Sequence, residues 1–265
     1  MNARGIAKRS FDVLCFIALT VALHAQTQTP AKPFQPEVGQ PGKDVVWVPS
    51  PQALVDKMLD MAKVTPQDFV MDLGSGDGRT VITAAKRGAR AMGIEYNPDM
   101  VALSKSNAAK EGVGDKATFV QADLFQTDLS QPTVITMFLL PSINMKLRPT
   151  LLNLKPGTRI VSNSFDMEDW SPDESATVGP NGCTSWCNAM LWIVPAKVQG
   201  RWKTPQGDLN ITQTFQVLSG TLGSTPISGR MLADQIKFTA GGTEYTGRVS
   251  GNSIQGGNLS ASRVN

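Results

Sequence analysis

Histidine is almost missing from this chain: His24 is the only one in 265 residues. Cysteine is scarce too, at Cys15, Cys183 and Cys187. Together these shortages leave too few ligands for a Cys/His zinc finger. A Ser-His-Asp or Cys-His catalytic site would have to use His24, which is poorly placed for it. Charge is sparse and nearly balanced, 18% charged residues with a net of +3, too little to mark a nucleic-acid surface. Aromatics make up only 6% of the chain. Trp186, Trp192 and Trp202 show no spacing typical of a nucleic-acid platform and read as core or interdomain packing. The eleven methionines are spread along the chain, as core residues are. What remains is a chain long enough for one or two domains with real cores.

The N-terminus carries a targeting pattern. Arg4, Lys8 and Arg9 precede an apolar run from Val13 to Leu23, broken only by Thr20. Such a run rises ~16 Å as a helix, about half of a bilayer's hydrocarbon core. Residues 1–25 therefore read as a secretory signal peptide, cut after Ala25. Asp12 at the edge of the run and the large Leu23 fit that pattern less well, which leaves an uncleaved anchor or a misassigned start as the other readings. Cleavage predicts a periplasmic or secreted protein with no membrane span and no histidine; retention predicts an N-terminal membrane anchor. Residues 26–43 hold four prolines and two glycines and read as a flexible entry segment.

Residues 44–195 alternate helix-like and strand-like stretches. Helices are expected from Ser50-Pro51, over Arg79–Arg87, over Pro98–Lys110 and over Asn144–Leu154, the last kinked at Pro149. Strands are expected over Asp68–Leu73, Ala91–Glu95, Ala117–Gln121, Thr133–Leu140 and Thr158–Ser164. This alternation of helices with apolar strands predicts an α/β fold, a Rossmann-like, doubly wound and mainly parallel sheet. Residues 196–265 contain 11 of the 24 glycines and short strand-like pieces at Asn210–Leu218, Ile236–Thr239 and Tyr245–Val249. They predict a small all-β domain, a partly closed barrel or a sandwich.

The chemistry concentrates in Val70-Met-Asp-Leu-Gly-Ser-Gly-Asp-Gly-Arg79, a strand running through three alternate glycines into a helix. Glycines let a ligand press on the backbone, and in open α/β sheets ligands bind at the carboxyl ends of the strands. Asp72 and Asp77 bracket the loop, which disfavours a pyrophosphate and favours a cation. No Lys-Ser/Thr follows, so this is not a nucleoside-triphosphate loop. Glu95 ends the second strand, where a carboxylate accepts both hydroxyls of a ribose. Asp123 ends the third, where an acid accepts from the exocyclic amine of adenine. A cationic nucleoside without phosphate meets these demands, and S-adenosyl-L-methionine is one.

Asp-Leu-Gly-Ser-Gly-Asp-Gly-Arg, Gly-Ile-Glu-Tyr-Asn and Ala-Asp-Leu-Phe, in this order, resemble the class I S-adenosylmethionine-dependent methyltransferases over residues 44–195. The resemblance implies that Gly74 and Gly76 approach the methionine moiety, Asp72 or Asp77 its amino group, Glu95 the ribose and Asp123 the adenine, with Ser75, Tyr96, Asn97 and Leu124 in the same pocket. Val46-Trp-Val-Pro-Ser-Pro51, Phe138-Leu-Leu-Pro141 and Lys155–Phe165 are similar to bacterial relatives of the mitochondrial protein-lysine methyltransferases of an ATP synthase subunit and the adenine nucleotide translocase. By that resemblance the segment holding Trp47, Val48 and Pro49 closes over the cofactor. The leader and the region after 196 depart from it.

A sulfonium is an activated methyl donor, so the protein mainly aligns the nucleophile in a dry pocket and needs no histidine. The Asn/Asp-Pro-Pro-Tyr/Phe signature of many amino-methyltransferases is absent. Phe138, Leu139, Leu140 and Pro141 stand in its place and form an apolar substrate edge, with Asn163 as a polar contact; core packing and a loop hydrogen bond are the plainer roles for Phe138, Leu139 and Asn163. No general base is named. Cys183 and Cys187 flank Thr-Ser-Trp and read as a disulfide if a turn brings their Cα atoms within ~7 Å, or else as buried thiols; a redox or metal pair is the third reading, disfavoured because two thiolates alone are an incomplete zinc site. No metal site is expected. The leading expectation is methyl transfer to an amine, of a protein lysine or of a small molecule, with no nucleic-acid partner. The alternatives are a non-catalytic envelope binding protein on the same fold, with the β domain holding a partner, and a nicotinamide oxidoreductase, which the acidic loop disfavours.

Overall fold

The structure is a computed structural model that describes residues 1–2 and 34–264. Apart from its first two residues, the leader expected over 1–25, with Cys15 and His24, lies outside the described residues, as do residues 26–33.

The first strand, β1 (Phe69–Leu73), is buried along its whole length. Parallel neighbours flank it, β2 (Arg90–Glu95) on one side and β4 (Val134–Met137) on the other, with β3 (Ala117–Gln121) beyond β2 and β5 (Arg159–Asn163) beyond β4. Strands covered on both faces need continuous apolar runs, which explains why Phe-Val-Met-Asp-Leu reads without alternation. Its side chains nevertheless part by twos. Val70 packs with α1 (Gln52–Met61), α2 (Arg79–Lys86) and α3 (Pro98–Lys110). Phe69, Met71 and Leu73 pack on the other face with α4 (Pro141–Leu151).

Two strands were not expected: β6 (Glu174–Thr177) and β7 (Asn188–Ile193) complete a seven-stranded sheet of order β3-β2-β1-β4-β5-β7-β6, with β7 antiparallel to both neighbours. The mainly parallel, Rossmann-like sheet is thus present. β6 is largely exposed and short of apolar residues, so it leaves no pattern to read. The fourth strand stops at Met137, and α4 begins at Pro141 instead of Asn144. Proline suits the first helical position, where its missing N–H has no partner to lose. Pro149 lies inside the last turn of α4.

The second region is a closed eight-stranded barrel. Its antiparallel strands are β8 (Gly200–Thr204), β9 (Gly207–Thr214), β10 (Val217–Leu222), β11 (Thr225–Leu232), β12 (Gln235–Ala240), β13 (Thr243–Ser250), β14 (Ser253–Gln255) and β15 (Ala261–Arg263). Closure is complete because β15 pairs with β8, and β9 with β10. The stretch Asn210–Leu218, expected as one strand, is two strands joined by a tight turn at Phe215-Gln216. Eight strands leave an interior that side chains fill, and here Trp202, Leu209, Leu218, Met231, Ile236, Phe238 and Ile254 fill it. A Cβ at Gly220 would fall 1.9 Å from the Asn210 carbonyl oxygen, so the tight β9–β10 contact requires glycine.

The Phe215-Gln216 turn fastens the barrel to the sheet domain. Phe215 stacks on Trp170 at 5.9 Å between ring centroids, Trp170 Nε1–H donates to Gln216 Oε1 at 3.1 Å, and Gln216 Nε2–H donates to the Ser171 carbonyl at 2.8 Å. Trp192 and Trp202 are fully buried. No helix among the described residues is long and apolar enough to cross a membrane.

Candidate active site

The chain leaves β1 through Gly74 to Gly78 and turns back into α2. The N–H groups of Gly74 and Ser75 both donate to the Ile94 carbonyl, at 2.9 and 3.0 Å, which holds the loop against the end of β2. Gly76 has φ +54°, and a Cβ there would sit 2.6 Å from the indole nitrogen of Trp47. Only glycine takes this backbone without strain and leaves that space open. From α3, Ser104 Oγ donates to the Gly76 carbonyl at 2.8 Å and Asn107 Nδ2 to the Asp77 carbonyl at 3.0 Å.

Glu95 is locked in place by two backbone donors, Gly76 N–H at 3.0 Å and Asn97 N–H at 2.9 Å, one to each oxygen. Asn97 in turn caps α3, accepting from Asp99 N–H at 2.9 Å. Asp72 is buried, and that burial pushes its carboxyl up to about 7 against a hydrogen bond from Thr136 Oγ1 at 2.6 Å. Asp77 is paired with Arg79 at 2.6 Å, and Arg79 also donates to the Ser50 carbonyl at 2.8 Å. Asp123 caps a 3-10 turn (Leu124–Gln126) by accepting from Phe125 N–H at 2.9 Å. Its carboxylate also holds Lys43 Nζ at 2.6 Å, which keeps it below its usual range. The same Nζ lies 4.7 Å from the centre of the Tyr96 ring.

These groups line one cavity of about 520 Å³. The segment 40–50 crosses it, pinned where Trp47 N–H donates to the Gln40 carbonyl at 2.9 Å. Trp47, Val48, Pro49, Asp72, Gly74, Ser75, Gly76, Asp77, Glu95, Tyr96, Asn97, Asp123 and Leu124 all line the cavity, as do Phe138, Leu139 and Leu140. Two expected residues do not line it. Pro141 is taken up by the first turn of α4. Asn163 is fully buried behind the wall, where its Nδ2 donates to Ser50 Oγ at 2.9 Å. Asp123 is not a free acceptor either, because Lys43 already engages it.

Lys43, Phe165 and Trp186 are among the wall residues unforeseen in the sequence. Lys43 sits at the Asp123 end. At the other end Phe165 and Trp186 join Phe138, with ring centroids 5.9 Å apart for Phe138–Phe165, 6.0 Å for Phe138–Trp186 and 5.3 Å for Phe165–Trp186. Trp186 is 45% exposed, so its expected role in the core is corrected. It stands inside the loop closed by a Cys183–Cys187 disulfide, whose Cα atoms lie 5.6 Å apart. The signal in the sequence was the pair of cysteines bracketing a tryptophan.

The cavity suits S-adenosylmethionine. Five carboxylates line it, from Asp44, Asp72, Asp77, Glu95 and Asp123, and the two lining cations, Lys43 and Arg79, are already paired with acids. Ser75 Oγ is buried in the wall without a partner among the described residues. A positively charged ligand with hydroxyls answers both conditions. No cluster of metal-ligating side chains occurs among the described residues.

The parallel sheet, the glycine loop and the acids behind it define a class I S-adenosylmethionine-dependent methyltransferase. Residues 72–174 match the family described as the ANTKMT methyltransferase domain. A protein-lysine N-methyltransferase of Saccharolobus islandicus (strain REY15A) is 45% identical over 133 residues, 49% of this chain and 83% of its own length. The adenine nucleotide translocase lysine N-methyltransferase of Mus musculus is 34% identical over 144 residues, 54% of this chain and 62% of the mouse one. A solved structure from Salinibacter ruber, described as an RNA methyltransferase in complex with S-adenosyl-L-homocysteine, has 47% identity and a TM-score of 0.52, covering 57% of this chain and 96% of that one. The chain belongs to this protein-lysine N-methyltransferase family and is a methyltransferase that uses S-adenosylmethionine. It spans somewhat less than two thirds of the length of the mouse relative. Family membership sets aside the non-catalytic reading and the nicotinamide one.

Proposed function

We propose that this methyltransferase modifies the ε-amino group of lysine in a protein acceptor, and that it works outside the cytoplasm. The observation that carries the first part is the division of the cavity lining along the sheet: Asp72, Glu95 and Asp123 stand at or just past β1, β2 and β3 at one end, and Phe138 and Phe165 follow β4 and β5 and pack with Trp186 at the other. Among the described residues, that second end contains no titratable side chain and no free cation. It supports an acceptor with an apolar stem, as lysine has, over a polyphosphate backbone, which needs exposed Lys and Arg.

Bound S-adenosylmethionine supplies a sulfonium-activated methyl group, and the remaining work falls to the chain. Glu95, held by two N–H donors, keeps further lone pairs for a ribose diol. Asp72 in its ionised form favours a cationic amino group. The aromatic end excludes water around the reacting nitrogen. The amine gives up its proton to bulk water before it enters that end, since no base among the described residues lines it.

The names of relatives divide on the acceptor. Several are protein-lysine N-methyltransferases, while the Salinibacter structure is described as an RNA methyltransferase. Incubating the protein and labelled S-adenosylmethionine with a host extract separates the two. Label destroyed by protease, retained after ribonuclease and recovered as N-methyl-lysine on hydrolysis is the expected result; label in RNA refutes the lysine reading.

The leader pattern in residues 1–25 and the disulfide support work beyond the cytoplasmic membrane, where disulfides persist. N-terminal sequencing of the protein from the envelope fraction is expected to begin near Gln26. Recovery in the cytosol with residues 1–25 intact refutes export.

A further inference from the structure

The segment between β6 and β7 is built to hold one side chain. Val178 N–H donates to the Cys187 carbonyl at 2.9 Å, which extends the β6–β7 pairing into the loop, and Cys183 N–H donates to the Gly179 carbonyl at 3.2 Å, which closes a turn within it. The loop also abuts α1: a Cβ at Gly182 would lie 2.9 Å from the Cβ of Ala53. Between the bonded sulfurs, Trp186 has φ +58°. A bulky side chain adopts this left-handed backbone only where its surroundings impose it. The outcome is a large aromatic ring that is not in a core. It is 45% exposed, packs on Phe138 and Phe165, and lines the cavity with them.

The backbone strain and the exposure are both unfavourable to folding, and neither is needed to complete the sheet. Phe138 follows β4 and Phe165 follows β5, so two walls of the aromatic end come from the strand ends themselves. Only Trp186 comes from a separate, covalently closed loop. A cluster of three aromatic rings on a cavity wall attracts an alkyl stem through apolar contact and its ammonium through the ring quadrupoles.

We infer that Trp186 is the specificity-determining wall for the acceptor, contacting the stem of the incoming lysine, and that the Cys183–Cys187 disulfide is the positioning device that keeps it there. The inference rests on the lysine reading proposed above. It makes acceptor affinity, and not cofactor affinity, sensitive to the redox state of the loop. The cofactor groups stand at the other end of the cavity, on the ends of β1, β2 and β3.

The test uses the full chain, labelled S-adenosylmethionine and a titrated extract of host envelope proteins as acceptor, with cofactor affinity measured separately by calorimetry. For Trp186→Ala the apparent KM for acceptor is expected to rise about tenfold or more, with kcat within about threefold and cofactor affinity unchanged, while Trp186→Phe recovers most of the loss. Cys183→Ser/Cys187→Ser, and the reduced wild-type protein, are expected to raise the same KM. Once Trp186 is alanine, breaking the disulfide is expected to add nothing, because the two act through one contact. Thermal melts establish that each variant is folded. An unmoved KM in folded Trp186→Ala, with label still on lysine, overturns this inference alone. A disulfide effect that persists undiminished in Trp186→Ala overturns the positioning role. Label on residues other than lysine overturns the lysine reading and this inference with it.

Discussion

The sheet domain and the barrel treat buried polar groups in opposite ways. Among the described residues, the buried side-chain atoms with no hydrogen-bond partner are Ser75 Oγ, Asn144 Oδ1, Asn163 Oδ1 and Ser164 Oγ, all of them in the sheet domain around the ends of β1, β5 and α4. The barrel has none among those residues, and its interior is apolar side chains from wall to wall. An unsatisfied buried polar atom costs ~1–3 kcal/mol. The sheet domain carries such costs, and of the four residues Ser75 lines the cavity. The barrel, with closed edges and a filled core, has the construction of a support.

The hardest test of that contrast is to damage the support. Trp202 is fully buried in the barrel, donates its Nε1–H to the Val198 carbonyl at 2.8 Å and lies under the Arg263 guanidinium at 4.2 Å. Trp202→Ala is expected to cost ~3–5 kcal/mol of stability, as large aromatic truncations do. Calorimetry well below the new melting temperature is expected to show wild-type affinity for S-adenosylmethionine. Lost affinity in protein that is still folded would make the barrel part of the site.

A smaller effect, confined to the site, is expected from Glu95→Ala. The carboxylate anchors Gly76 and Asn97 and offers its free lone pairs to a diol. Hydrogen bonds to charged groups contribute ~1.5–3 kcal/mol, so affinity should fall roughly tenfold to a hundredfold. The melting temperature should move far less than in Trp202→Ala. Unchanged affinity would displace the ribose from this end of the cavity.

Asp72 separates stability from binding by pH. Its carboxyl is raised from 3.8 to about 7 by burial. The folded chain therefore binds more protons there than the unfolded chain. This contribution to stability is complete below pH ~4 and is lost as pH rises through about 7. Binding of a cation runs the other way, because it needs the ionised form. Between pH ~6 and ~8 affinity should increase, by at most about tenfold per unit. In Asp72→Asn both slopes should vanish, as read by melting curves and calorimetry across that range. A slope in affinity that survives the substitution would point to a different titrating group.

How much of this could be read from the chain depended on distance along it. The glycine loop, the acid at the end of β2 and the positions along the chain of the first five strands were legible because each is a local pattern: an apolar run, a turn that needs glycine, an acid at a strand end. Trp186 was not, since its place is set by the β6–β7 hairpin and a disulfide that brings Cys183 and Cys187 to 5.6 Å. Asn163 looked like a pocket residue because it ends a strand, yet Ser50, far away in sequence, draws its amide inward. Barrel closure was equally hidden. It rests on Ser262 meeting Lys203 and Arg263 meeting Trp202, which no periodicity in β8 or β15 announces.

The smallest predicted effect concerns two surface ion pairs that look alike. Lys43–Asp123 at the cavity and Lys237–Glu244 on the barrel span 2.6 and 2.8 Å. Both are exposed enough for solvent to weaken them, so neither should matter much for stability. They differ in what lies beneath. Lys43 engages the one carboxylate that, by family resemblance, an adenine amine needs, and its Nζ also lies 4.7 Å from the Tyr96 ring centre. Removing it frees Asp123, so Lys43→Ala should tighten cofactor binding, by no more than about fivefold given the weakness of exposed pairs. Added salt should narrow the gap between variant and wild type by screening the pair. Lys237→Ala should leave affinity unmoved at any salt concentration. Weaker binding in Lys43→Ala would reverse the assignment and make Lys43 part of the grip on the cofactor, with segment 40–50 a clasp that holds the ligand and not a latch that must first yield to it.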